Sequence, residues 1–218
     1  MIKFCSLFSG SSGNCLFIGS GRTKILIDAG VSGKRIIEAL CSIGENPSDI
    51  SAVLISHEHS DHIRSAGIIS RKLDVPIYAN VKTWKSMEHS IGPVKVENKR
   101  FFSTGEELVI GDICVNTFSI PHDASDPVGF NFMVDNRKIT TATDIGHITK
   151  RLLENFESSD LILLESNHDV EMLKVGPYPW SLKKRILGDN GHLSNEMAGK
   201  VIAYMAKKGT RKFLLGHL

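Results

Sequence analysis

His57-Glu58-His59-Ser60-Asp61-His62 follows directly on the apolar run Ala52-Val53-Leu54-Ile55. Four strong metal ligands fall within these six residues. In extended backbone, side chains two apart project to the same side, so His57 and His59 can share one metal ion. Asp61 and His62 lie where the chain is predicted to turn into a helix, from Ile63 onward, and they point towards a second position. Neutral imidazole with a carboxylate suits zinc, manganese or iron better than magnesium or calcium, which prefer all-oxygen shells.

Working outward, the first third reads as short strands separated by glycine turns. Lys3–Phe8, Asn14–Ile18, Lys24–Ile27 and Ala52–Ile55 are predicted strands, with Ser9-Gly10-Ser11-Ser12-Gly13 and Gly19-Ser20-Gly21 as turns. Ser32–Ile43 carries Ile36, Ile37, Leu40 and Ile43 at helical spacing. Helices are also expected over 63–73, 81–90, 145–156 and 194–207, and strands over 76–79, 108–110, 113–120, 129–134, 138–141, 161–164 and 212–215. Phe101–Asp112 and Val175–Asn190 read as irregular loops. Strand-rich halves, each closed by helices, imply two packed sheets with helices outside.

Further ligands stand where this pattern places strand ends. His122 follows Ile113–Ile120 and Pro121, Asp144 follows Ile139–Thr141, and His217 follows Phe213-Leu214-Leu215-Gly216. Each is an apolar strand with a ligand beyond its C-terminal tip, and such tips can converge on one rim of a sheet.

The order His-x-His-x-Asp-His, then spaced His, Asp and His, resembles the metallo-β-lactamase superfamily over essentially the whole chain. The resemblance implies an α/β (α+β) fold, a four-layer αββα sandwich with a dinuclear metal site at the sheet edge, formed by residues 1–218 as a single domain. It implies that His57, His59 and His122 hold one divalent ion, that Asp61, His62 and His217 hold the other, and that Asp144 bridges them. Zinc or manganese fits this set, and iron is also compatible. Asp28, at the tip of its strand, matches an early Asp that supports the ligand loop from behind. The family usually continues beyond the position of Leu218, so further residues are expected to close the domain.

Gly191-His192-Leu193-Ser194 resembles a segment of the phosphodiesterase branches, where the histidine contacts the scissile phosphate and an upstream Glu supports it; Glu165 matches that Glu. Ser6–Cys15, Ile27-Asp28-Ala29-Gly30 and Gly191–Glu196 are most similar to a bacterial branch regarded as probable 5′-to-3′ DNA exonucleases. The resemblance therefore implies a nucleic-acid substrate, DNA foremost. The mechanism it implies uses a hydroxide bridging two ions, oriented by Asp61, with His192 acting on the leaving oxygen. Of the remaining histidines, His89 reads as surface, His147 as a structural group or a support behind the ligands rather than a ligand, and His168 is left open as to whether it faces the cleft.

Composition sets the frame for these readings. The 218 residues are 41% hydrophobic and 23% charged, with no apolar run of membrane-spanning length. The N-terminus has no secretory pattern, and Cys5, Cys15, Cys41 and Cys114 are scattered, so reduced, partly buried thiols in a cytoplasmic protein are expected. Net charge is +2, but from Glu171 onward nine Lys/Arg face three Asp/Glu. That basic quarter could meet phosphates or could be the solvated face of helices. Two rival functions stay open: hydrolysis of a small ester, thioester or cyclic phosphodiester on the same site, and a non-catalytic metal-binding regulatory module. Metal identity, digestion polarity and oligomeric state are not readable from the sequence.

Overall fold

The computed structural model describes residues 2–218. Six strands form a first sheet in sequential order: β1 (Lys3–Phe8), β2 (Cys15–Gly19), β3 (Lys24–Ile27), β4 (Ala52–Leu54), β5 (Ile77–Asn80) and β6 (Lys99–Phe102). A second six-stranded sheet runs β12-β11-β10-β9-β8-β7, from β7 (Glu107–Ile110), β8 (Ile113–Ser119), β9 (Val128–Val134), β10 (Arg137–Ala142), β11 (Leu161–Glu165) and β12 (Lys212–Gly216). Helices α1 (Gly33–Ser42), α2 (Ser60–Ile63), α3 (Ala66–Leu73) and α4 (Val81–Met87) accompany the first sheet in sequence. Then α5 (Lys150–Phe156), α6 (Val170–Val175), α7 (Trp180–Ile186) and α8 (Asn195–Lys207) accompany the second.

The side-chain period of two explains the layering. In β2 every residue is buried, with Cys15 and Phe17 facing a core shared with Ile36 and Leu40 of α1, and Leu16 and Ile18 facing a core between the sheets. In β11, Leu163 enters that inter-sheet core while Ile162 and Leu164 pack with Leu152 and Phe156 of α5 and Val201 of α8. Strands covered on both faces read as continuous apolar runs. The result is the expected four-layer αββα sandwich.

Direction matters as much as layering. β3, β4, β5 and β6 are mutually parallel, as are β10, β11 and β12. β8 is antiparallel to β9, and β9 to β10, so β8 runs in the same sense as β10. Strands of one sense bring their C-terminal ends to one rim, and that places Asp144, Glu165, His217 and His122 together. The Asp135-Asn136 turn holds between β9 and β10, with φ of 47° and 58° at its two residues, as a tight hairpin requires.

Five expectations are corrected. The helix expected over 63–73 starts earlier and breaks: Ser60–Ile63 forms one turn, and Ser65 N–H is diverted to the Ala29 carbonyl (2.8 Å). The helix expected from 145 begins only at Lys150, because Ile145 and Gly146 N–H groups go to Glu165 Oε2 (2.6 Å) and the Pro121 carbonyl (2.7 Å). Both cases are tertiary hydrogen bonds overriding a helical pattern. Phe101–Asp112 contains the end of β6 and all of β7, and Val175–Asn190 contains α7, so neither is wholly irregular. All four cysteines are free, and Cys41 is exposed rather than partly buried. No helix among the described residues is long and apolar enough to cross a membrane.

Candidate metal centre

The hexapeptide is held in place by backbone bonds to two other turns. Asn14 N–H donates to the Asp61 carbonyl (2.8 Å), Gly30 N–H to the Asn14 carbonyl (2.8 Å), and Ala29 N–H to the His62 carbonyl (2.7 Å). The contact is so close that a Cβ on Gly30 would stand 1.5 Å from the Asp61 carbonyl oxygen and 2.7 Å from the Asn14 nitrogen. Backbone cannot yield as a flexible side chain can. Gly30→Ala is therefore expected to lower the melting temperature and metal content together, at a cost of at least about 4 kcal/mol; wild-type values of both by calorimetry and elemental analysis would contradict this.

Asp28, Asp144 and His217 each follow a strand end directly or within two residues, and each has left-handed backbone, φ 61°, 60° and 54°. That conformation costs a non-glycine residue about 1–3 kcal/mol and is tolerated where the surroundings fix it. Here it turns the chain sharply at the rim.

His57 Nε2 lies 3.1 Å from His59 Nδ1, which lies 3.3 Å from His122 Nε2. Nitrogens about 2.1 Å from one tetrahedral ion would stand about 3.4 Å apart, close to these spacings. Beside them, Asp61 Oδ2 is 3.4 Å from His62 Nε2 and 3.6 Å from His217 Nε2. Asp144 stands between the two groups, with Oδ1 3.7 Å from His122 Nε2 and 3.4 Å from His217 Nε2, and Oδ2 3.4 Å from His62 Nε2. All seven predicted ligands thus converge on one rim.

Four of the histidines share one arrangement. Each donates Nδ1–H outward and turns Nε2 inward: His57 to Ser56 Oγ (3.0 Å), His62 to Asp28 Oδ2 (2.8 Å), His122 to the Gly191 carbonyl (3.1 Å) and His217 to Glu165 Oε1 (3.0 Å). Such outer partners fix the ring orientation and aim the other nitrogen into the site. Asp28 is fixed in turn by Ser56 N–H (2.8 Å) and Ser56 Oγ (2.9 Å).

Two buried inward-facing atoms, Asp144 Oδ2 and His217 Nε2, have no hydrogen-bond partner. Buried polar atoms are nearly always satisfied, so these call for a counter-group. Together with the nitrogen and carboxylate donors, they fit divalent metal ions, and groups of potential ligands recur here: His57/His59/His122, Asp61/His62/His217 and His57/His62/Asp144.

The electrostatics divide the two sets. Burial pushes the His57 imidazole well below its ordinary range, with the neighbouring His62 adding to the effect, and burial likewise lowers His122. These rings are neutral, ready donors. For His62 and His217 burial acts in the same sense but is overcome, chiefly by the Asp144 charge, and His217 is pushed up to about 10. Burial opposes ionisation of Asp61, yet the nearby His217 and His62 imidazoles hold it far below the usual carboxylate range; Asp144 is likewise held down by the surrounding imidazoles. The polypeptide alone thus keeps protons on the second set.

Glu165 is fully buried and serves two rings at once: its Oε1 accepts from His192 Nδ1 (2.8 Å) as well as from His217, while its Oε2 accepts from Ile145 and Leu193 N–H. Asp144, Glu165, His192 and His217 also form a compact group, but Glu165 occupies both Nδ1 atoms, which makes it a hydrogen-bonded support. His192 and His217 rings stack with centroids 5.1 Å apart.

Several contributors carried little sequence signal. Ser56 adjoins the hexapeptide, but its double duty is visible only in three dimensions. The Asn14 amide, 3.2 Å from Asp61 Oδ2 and 3.0 Å from His62 Nε2, comes from a glycine-rich turn that only the family resemblance marked. Asp123, next to His122, has Oδ1 3.3 Å from His122 Nε2 and is gripped by Arg185. Glu58 turns away and accepts from Ser125 N–H (2.8 Å) and Oγ (2.7 Å), holding the loop after His122. His89 is on the surface, and His147 is exposed, donating to the Asp189 carbonyl (2.8 Å). His168 is half-buried; burial lowers its pKa against the Glu165 charge.

Comparison with known proteins agrees with this geometry. Residues 23–218 match the family model described as a beta-lactamase superfamily domain. A Bacillus anthracis protein named exodeoxyribonuclease YycJ is 45% identical over 218 residues, covering 100% of this chain and 82% of its own length. Exodeoxyribonuclease WalJ of Streptococcus pneumoniae is 43% identical, covering 99% of this chain and 81% of its own. Among solved structures, the metallo-beta-lactamase fold protein YhfI from Bacillus subtilis superposes with a TM-score of 0.75 at 16% identity, over 100% of this chain and 87% of that one.

Proposed function

The chain belongs to the beta-lactamase superfamily of metal-dependent hydrolases, and on that footing we propose that it is a two-metal 5′-to-3′ DNA exonuclease. His57, His59 and His122 would hold one zinc or manganese ion, Asp61, His62 and His217 the other, with Asp144 shared. Divalent ions there supply Lewis acidity and make hydroxide available near neutral pH. The remaining work belongs to side chains. Asp61 accepts a hydrogen bond from the attacking water and orients it. His192, its Nδ1–H committed to Glu165, presents Nε2 to the cleft, where it donates a proton to the departing oxygen.

The observation that carries the phosphodiester reading is that Glu165–His192 pair. It sets an imidazole against the ligand cluster while leaving it outside the two inward-facing ligand sets. The DNA substrate rests on the names of the two relatives that match along their shared length. The small-molecule alternatives gain no comparable observation.

End-labelled, 5′-phosphorylated DNA incubated with Mn²⁺- or Zn²⁺-loaded protein should lose nucleotides from the 5′ end. Faster turnover of a thioester than of DNA would overturn the assignment. His192→Ala should slow DNA hydrolysis by about 10²- to 10⁴-fold with metal content unchanged. Glu165→Gln should slow it too, and also weaken one ion by about 10- to 100-fold, because Glu165 orients His217 as well. Equal metal binding by the two variants would contradict the dual role of Glu165.

A further inference from the structure

Between β11 and α8 the chain builds a two-helix projection, α6 and α7, whose outer face is apolar and bare. Trp180 is 67% exposed and Tyr178 54%, with Met172 and Val175 exposed nearby. The chain has two tryptophans, and the other, Trp84, is 2% exposed with its indole N–H on the Arg100 carbonyl. An exposed Trp and Tyr two residues apart are costly to leave in water without a partner.

The projection is a built framework. Asp169 caps α6 by accepting from Met172 N–H (2.8 Å), and the buried Lys183 of α7 donates from Nζ to the Lys174 carbonyl (2.8 Å) at the end of α6. In Pro177-Tyr178-Pro179-Trp180, the prolines fix their own φ and confine Tyr178 to extended backbone. The backbone that displays the two rings therefore has little conformational freedom left to lose on binding.

The other end of α7 reaches the metal cluster. Arg185 grips both carboxylate oxygens of Asp123 (2.5 and 3.0 Å), and His192 N–H donates to the Ile186 carbonyl (3.0 Å). One helix of about 10 Å thus joins the aromatic face to the cleft. Of the four Lys/Arg between Val170 and Gly188, Lys174 pairs with Glu171, Lys183 is buried and Arg185 is held by Asp123, which leaves Lys184 exposed with no ion-pair partner among the described residues. Aromatic rings beside unpaired positive charge, continuous with a hydrolytic cleft, complement a strand that has bases on one side and phosphates on the other.

We infer that α6 and α7 form a stacking platform for unpaired bases of the single strand whose phosphate enters the metal centre. The inference rests on the phosphodiesterase reading. A membrane surface would also accept Trp, Tyr and Lys, but seated here it would obstruct the adjoining cleft.

The test uses the metal-loaded protein and a nuclease-resistant phosphorothioate oligothymidylate. Binding should quench Trp180 emission. Trp180→Ala and Tyr178→Ala should each weaken the oligonucleotide, read by anisotropy, by about tenfold, with Trp180→Phe retaining most of the affinity. Hydrolysis of bis(p-nitrophenyl) phosphate, which is too short to reach the platform, should be unchanged in all three. Alanine variants that bind the oligonucleotide as wild type does would overturn the platform, even if DNA hydrolysis upholds the exonuclease reading. Trp180-dependent binding without DNA hydrolysis would do the reverse. A shift of Trp180 emission with anionic phospholipid vesicles but not with the oligonucleotide would overturn it in favour of a membrane.

Discussion

Asp144→Asn is expected to abolish measurable hydrolysis while leaving the fold intact. Asparagine fits the same volume and tolerates the left-handed backbone at this position, φ 60°. What it removes is the negative charge shared by His62, His122 and His217. The loss of a shared ligand costs several kcal/mol of transition-state stabilisation, so the rate should fall by about a thousandfold or more. Metal content should fall in the same variant, with near-native circular dichroism. Full activity with the normal metal content would remove Asp144 from the centre of the mechanism.

Metal removal is the second large effect, and it should depend on pH in a way that separates the two ligand sets. His57 and His122 are held neutral by burial, so these two ligands of the proposed first set take an ion without releasing protons. His62 and His217 retain protons despite burial, His217 up to about pH 10. An ion entering the second set must displace them, so its affinity should drop about tenfold per pH unit for each proton released as pH falls. Protein dialysed against limiting Zn²⁺ at pH 6 should retain about one ion, and at pH 8.5 about two. Equal stoichiometry at both would contradict the division.

The stability of the chelated protein should run the opposite way. The folded-state pKa of His217 lies above its ordinary value of 6.5. Its protonation therefore stabilises the ion-free fold fully below about pH 6.5, and that contribution is lost as pH rises through about 10, at about 1.4 kcal/mol per unit. Calorimetry should show the melting temperature of the chelated protein falling across this range, while the loaded protein, with His217 on an ion, shows no such decline.

Much of the site was legible because its ligands obey a one-dimensional rule. An apolar strand followed closely by His or Asp marks His57, His122, Asp144 and His217, and strand polarity then gathers them. The support was less legible. Glu165 and His192 stand 27 residues apart and meet only because β11 and the loop before α8 share the rim; only family resemblance suggested the pair. Ser56 and Asp123 had no pattern to announce them. The helices over 63–73 and 145–156 were misread at their starts for the same reason: distant acceptors, the Ala29 carbonyl and the Glu165 carboxylate, capture N–H groups that local periodicity assigns to a helix.

The spread of ligands from His57 to His217 also bears on the order of synthesis. The first three nitrogens are complete once His122 has been made, and Asp144 follows soon after. His217 comes 73 residues later, about 4–15 s at ordinary translation rates. Until then Asp61 and Asp144 face each other without the imidazole that lies near both, and β11 lacks its parallel neighbour β12. A nascent or prematurely ended chain short of His217 would offer the first proposed ligand set but not the complete second. In the proposed scheme the second ligand set is filled only when the twelfth strand delivers His217.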